Sequence, residues 1–113
     1  MHPKIRVYLY DENDNKFFGE GPCRLLHGIE QTGSLHQAAI SMNMAYTKAL
    51  SIMRQAEESL GFPLTTKKIG GAGGGGSTLT TEAKEFLHDY ETYRDKCITT
   101  NIQIYDEVFA DRQ

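Results

Sequence analysis

Residues Gly33–Thr80, GSLHQAAISMNMAYTKALSIMRQAEESLGFPLTTKKIGGAGGGGSTLT, decide the architecture of this 113-residue chain. Ser34 follows Gly33 and predicts a helix N-cap, because its hydroxyl accepts a bond from an amide of the first turn. Leu35, Ala38, Ala39 and Met42 then share one helical face. Asn43 tolerates the left-handed backbone that ends helices and so predicts a tight turn. A second helix starts near Ala45, with Tyr46, Ala49, Leu50, Met53 and Leu60 as its apolar stripe. The small residues Ala38, Ala39 and Ala49 let the two helices cross closely, as a helix-turn-helix requires. Thr47, Lys48, Ser51, Arg54 and Gln55 fall on the opposite face, which makes the second helix a recognition-helix candidate.

Working outward, Phe62-Pro63 redirects the chain and Leu64–Ile69 reads as a strand. Gly70–Gly76 carries one alanine and no other side chain, so it forms no regular element. Ser77-Thr78-Leu79 returns as the partner strand. A hairpin tipped by backbone alone slides beside a phosphate chain without steric conflict, and its amides can bind phosphate oxygens, Gly73 and Gly74 foremost. This hairpin is a candidate wing.

Upstream, Ile5, Val7 and Leu9 alternate with Arg6, Tyr8 and Tyr10 and predict a half-buried strand. Asp11–Asn15 is a turn, and Lys16-Phe17-Phe18 a short return strand. Pro22 stands near the start of a helix that buries Leu25, Leu26, Ile29 and Cys23 and stops at Gly33. Downstream, Thr80 is an N-cap and Glu82 complements the first turn of a helix running to Val108 or Phe109. Phe86, Tyr90, Tyr93, Cys97, Asn101, Ile104 and Val108 recur along it at spacings of three and four, close to a coiled-coil seam. Beyond about Tyr93 that surface exceeds what one small domain covers. It predicts a homodimer contact through Phe86, Tyr90, Tyr93, Cys97, Ile104 and Val108. The strand direction of the pairing, parallel or antiparallel, stays open.

Gly33-Ser34-Leu35, Ala38-Ala39, Met44-Ala45-Tyr46, Ala49, Leu60-Gly61, Pro63-Leu64 and the glycine run before Leu79-Thr80 resemble the N-terminal winged helix-turn-helix domain of the ModE-type, molybdate-responsive regulators. More distantly, the Gly-Ser-Leu, Ala-Ala and Leu-Thr elements resemble the LysR-type DNA-binding domain. The resemblance implies an α+β, mostly helical fold with residues 1–80 as a DNA-binding domain and 81–113 as a continuous dimerisation helix. It implies a transcriptional regulator that binds duplex DNA as a homodimer. Since nothing follows the long helix here, a stand-alone domain without a molybdate-binding domain is expected. Two departures bear on the DNA face. The family's usual Ser-Tyr-Arg/Lys start of the recognition helix is Ala45-Tyr46-Thr47 here, and the wing's usual lysine is Ala72. Both changes remove positive charge. The alternative they favour is a winged-helix interaction module that no longer binds DNA specifically.

The candidate DNA contacts are Ser34, Tyr46, Thr47, Lys48, Ser51, Arg54, Lys67, Lys68, Gly73 and Gly74. The net charge of −3 argues against indiscriminate nucleic-acid binding but leaves room for a local basic face. From Met44 to Ser77, Lys48, Arg54, Lys67 and Lys68 outnumber Glu57 and Glu58, whereas the segment from Glu82 onward is acidic. The glycine run is not a P-loop, because no Lys precedes Ser77. The four histidines have no ligand spacing, Cys23 and Cys97 are isolated, and no catalytic constellation stands out, so neither metal, cofactor nor enzyme activity is expected. Isolated thiols, no secretory signal and no membrane-length apolar run predict a cytoplasmic protein.

Overall fold

The computed structural model describes residues 1–67 and 76–112. Its elements run β1 (Leu9–Tyr10), β2 (Lys16–Phe18), α1 (Glu20–Thr32), α2 (Leu35–Ser41), α3 (Tyr46–Leu60), β3 (Thr65–Lys67), β4 (Ser77–Leu79) and α4 (Thr81–Phe109), with a closing 3₁₀ turn at Ala110–Arg112. The architecture is α+β and mostly helical. Two antiparallel hairpins, β1–β2 and β3–β4, flank a three-helix body. From it projects α4, about 44 Å long at 1.5 Å per residue. The molecule accordingly measures 62 × 29 × 24 Å.

Local chemistry sets the helix boundaries. Gly33 closes α1 in the left-handed region at φ 78°, its amide donating to the Ile29 carbonyl. The Ser34 hydroxyl accepts from the Gln37 amide at 3.2 Å and starts α2. Asn43, at φ 56°, turns the chain between α2 and α3. The Met44 amide donates to the Ala39 carbonyl across that turn. Thr80 caps α4 by accepting from the Ala83 amide. Ala45 caps α3 with no side-chain bond at all, so the first turn of the recognition-helix candidate lacks the hydroxyl that its neighbours use.

The core is a single cluster built by α1, with Leu25, Leu26 and Ile29 fully buried against Ala38, Ala39, Ala49, Met53, Ala56 and Leu64. Alanines at the crossing bring the helices close, and Gly28 brings α1 and α2 closest of all. The α4 helix enters the core through Ala83, Leu87 and Tyr90. Phe18 stacks edge-on against both Phe86 and Tyr90, at 4.8 Å between centroids in each case. Among the described residues no buried polar side-chain atom lacks a partner.

The N-terminal alternation of Ile5 to Tyr10 produces less strand than expected. Only Leu9 and Tyr10 pair with β2, with an irregularity between them. The residues before them follow α4 as an arm. The Tyr90 hydroxyl donates to the Val7 carbonyl at 2.8 Å, and the Tyr105 hydroxyl to the Met1 carbonyl at 2.9 Å. The Tyr90 bond satisfies a backbone carbonyl that the longer strand would have paired. Likewise β3 begins at Thr65, the amide of the buried Leu64 donating to Glu57 Oε2. The strand's expected end at Ile69 lies outside the described residues.

Candidate nucleic-acid interface

The packing of α3 determines which of its side chains reach outward. Ala49, Met53 and Ala56 are buried. At 100° per residue, Thr47, Ser51, Arg54 and Glu58 then fall on the opposite side, and all four are exposed. Lys48 and Gln55 lie between that face and the β1–β2 hairpin. Leu50 is half-buried, as expected of the stripe, but Tyr46 is not part of it. Tyr46 lies largely outside the core and stacks on the His36 ring at 5.4 Å, joining the first turns of α2 and α3 into one exposed aromatic edge. Ser34 sits at that same end of α2, with its hydroxyl engaged in the cap.

Four bonds hold the described part of the second hairpin, one at the Lys67–Ser77 end of its ladder and three at the Leu64–Thr80 end. The Ser77 amide donates to the Gly33 carbonyl at 2.7 Å, and the Thr80 amide to the Leu64 carbonyl at 3.0 Å. The Thr80 hydroxyl donates to the Pro63 carbonyl at 2.8 Å. The Leu64 amide donates to Glu57 Oε2 at 2.7 Å, so a carboxylate of α3 itself holds the strand entry. Lys67 is exposed opposite Ser77 at the far end of the described ladder. The Ser77–Gly33 bond thus sets the Lys67 end of the ladder beside Ser34, and the His36–Tyr46 stack sets the start of α2 beside that of α3, whose exposed side carries Thr47, Lys48, Ser51 and Arg54. Lys68, Gly73, Gly74 and Ala72 lie outside the described residues.

On the other flank of α3, the β1–β2 turn is anchored by Asp11. Its Oδ1 accepts from the amides of Asn13 and Asn15, and its Oδ2 accepts from the Ser59 hydroxyl at 2.8 Å. These bonds, the Asn15 amide first, hold the Asp11 carboxyl below its ordinary range. The turn residues announced a hairpin; nothing in them announced its partner on α3, 48 residues away.

The α4 helix divides into an inner and an outer part. Tyr90, assigned from spacing to a subunit contact, is used inside the chain, only 2% exposed, and Phe86 packs against the core as its place near the helix start leads one to expect. They complete the aromatic cluster with Phe18, which the period alone did not distinguish from a seam. Tyr93, Ile104 and Val108 remain exposed, at 53%, 53% and 66%, and Cys97 is half-buried. Ile98 and Ile102 are also exposed and were not foreseen. Ile98 belongs to the side that the N-terminal arm follows.

Among the described residues one cluster has metal-ligand chemistry: Cys23, His27 and Glu91 bring one donor atom each within 4.8 Å of one another. Contacts within the chain engage these groups. His27 Nε2 lies 3.1 Å from Glu91, and the Arg94 guanidinium approaches Glu20, Glu91, Asp95 and the Cys23 sulfur. Burial, with Glu91 and Glu20 nearby, pushes the Cys23 thiol up to about 11, which disfavours the thiolate that a metal needs. No helix among the described residues is long and apolar enough to cross a membrane.

No family model matches the chain. Over 68 residues, 60% of its length, it is 37% identical to a transcriptional regulator ModE of Haemophilus influenzae. Over 74 residues, 66% of its length, it is 36% identical to a molybdenum transport protein ModE of Herbaspirillum seropedicae. The chain covers 27% and 26% of these two relatives, about a quarter of each. Both relatives are named ModE, and this chain is similar to a ModE-type N-terminal domain.

Proposed function

We propose that this chain is the duplex-binding part of a transcriptional regulator and works as a homodimer on a roughly palindromic operator. The observation that carries the reading is the outward face of α3. Thr47, Ser51 and Arg54 are exposed there, and Arg54 has no carboxylate partner among the described residues. Such a helix enters the major groove with its N-terminal half toward the base edges. Thr47, Lys48 and Ser51 occupy that half, while the acidic Glu58 sits near the other end. Lys67, at the end of the described ladder, flanks the groove and meets phosphates.

The dimer follows from α4. Its outer half exposes Ile104 and Val108 on a helix that its own chain leaves uncovered, and a second copy of the same helix buries them. Two recognition helices related by a two-fold axis then read two matching half-sites. A gel shift on random duplex at low salt tests the reading. Binding is expected, and the double variant Lys48→Ala/Lys67→Ala is expected to weaken it. Wild-type chain that ignores duplex DNA in dilute buffer sinks the proposal.

A further inference from the structure

The flank of α3 opposite the wing carries charge that the wing reading does not use. Between α3, the β1–β2 hairpin and the start of α1 opens a cleft of about 650 Å³. Four cations line it, each from a different part of the chain: Arg6 from the N-terminal arm, Lys16 from β2, Arg24 from α1 and Lys48 from α3. Glu20 is the one carboxylate among the described lining residues, and it is engaged by Arg94 of α4 at 3.3 Å. None of the four cations has a carboxylate within 4.0 Å among the described residues. Lys16 Nζ sits 4.6 Å over the Tyr8 ring, which positions the ammonium without neutralising it.

In a chain of net charge −3, gathering four unpaired cations around one opening creates a local positive field against the overall balance. The opening also adjoins the recognition face, because Lys48 and Ser51 line it. A helix lying in a major groove has a phosphate strand on either side. The hairpin held by Glu57 and Leu64 stands on one side of α3, and this cleft on the other.

We propose that the cleft binds phosphate groups of the duplex backbone, as a second flanking contact opposite the wing. The inference rests on the duplex-binding reading given above. Arg6, Lys16 and Arg24 hold phosphate oxygens through charge-assisted bonds and read no bases, so they strengthen all duplex sequences alike. The same chemistry also suits free inorganic phosphate, and the test separates the two sources.

The test compares duplex affinity over a salt series for wild type and for Arg6→Ala/Lys16→Ala/Arg24→Ala, on two unrelated duplex sequences. Each phosphate contact contributes about 0.9 to the slope of log K against log salt, so the triple variant is expected to show a slope shallower by about 2 to 3 on both sequences. Arg6→Lys/Arg24→Lys is expected to keep the wild-type slope. Thermal melting checks the fold, and should the triple variant fail to fold, Lys16→Ala and Arg24→Ala singly are each expected to flatten the slope by about 0.9. An unchanged slope in folded variants, with wild type binding normally, overturns the cleft assignment alone. So does saturation of the cleft by millimolar inorganic phosphate, followed by NMR, with duplex slopes unaffected. Wild type that binds no duplex overturns the regulator reading first, and this inference with it.

Discussion

Gly28 of α1 and Ala38 of α2 approach so closely that a Cβ on Gly28 would lie 2.7 Å from the Ala38 Cβ. Both atoms would be borne directly on helical backbone, so neither can swing aside. Gly28→Ala is expected to force the helices apart and cost about 1–3 kcal/mol, despite alanine's better helix propensity. Thermal melting reads this as a drop of about 4–8 °C per kcal/mol for a domain of this size. An unchanged midpoint contradicts the close crossing.

Ala45 stands at the N-cap of α3 in extended backbone (φ −63°, ψ 142°) with nothing to offer the first turn. Ala45→Ser supplies an acceptor there and is expected to stabilise the domain by about 0.5–2 kcal/mol. The reverse change at Thr80, Thr80→Ala, is expected to cost at least as much, since that hydroxyl both accepts from Ala83 and donates to Pro63. Denaturant midpoints for the two variants should move in opposite directions.

Asp11 titrates below its ordinary value of 3.8 because the charged form is hydrogen-bonded by the turn amides and Ser59. A depressed carboxyl stabilises the fold above the unfolded value and ceases to do so as pH falls through the folded one. Wild type is therefore expected to exceed Asp11→Asn in stability at neutral pH, with the gap closing below about pH 4. A gap independent of pH would rule out the charged form as its source.

Cys23 is buried and its thiol is pushed up to about 11. Native protein is expected to resist alkylation there at pH 8, whereas Cys97, half-buried on α4, reacts sooner. Because the folded value lies above the ordinary 9.0, its contribution to stability is complete below pH 9 and is lost between about 9 and 11. Mass spectrometry of partially alkylated protein gives the order of reaction; early labelling of Cys23 contradicts the burial.

Ile104 and Val108 stand exposed near the outer end of the α4 stripe. The double change Ile104→Asp/Val108→Asp leaves the monomer core untouched. It is expected to convert a dimer into a monomer by sedimentation, with unchanged helical circular dichroism. Identical sedimentation of variant and wild type places the subunit contact elsewhere.

Where the backbone's needs are met by residues a few positions away, the sequence was readable. Gly33, Ser34, Asn43 and Thr80 act on their own turns, and each boundary they marked is found there. Partners distant along the chain were not readable in this way. Tyr90 looked like one more member of a seam, because its spacing fits, yet Phe18 and Val7 claim it from near the start of the chain. The same holds for the basic cleft: Arg6, Lys16 and Arg24 are unremarkable singly, and only the fold brings them beside Lys48.

The bond from Tyr105 to Met1 gathers the beginning of the chain and the last turns of α4 at one pole of an elongated body. Thr80, which starts α4, is bonded into the base of the hairpin at the opposite pole. A dye on the Met1 end of the arm thus sits roughly 38 Å along the α4 axis from Thr80, counting 1.5 Å for each residue up to Tyr105.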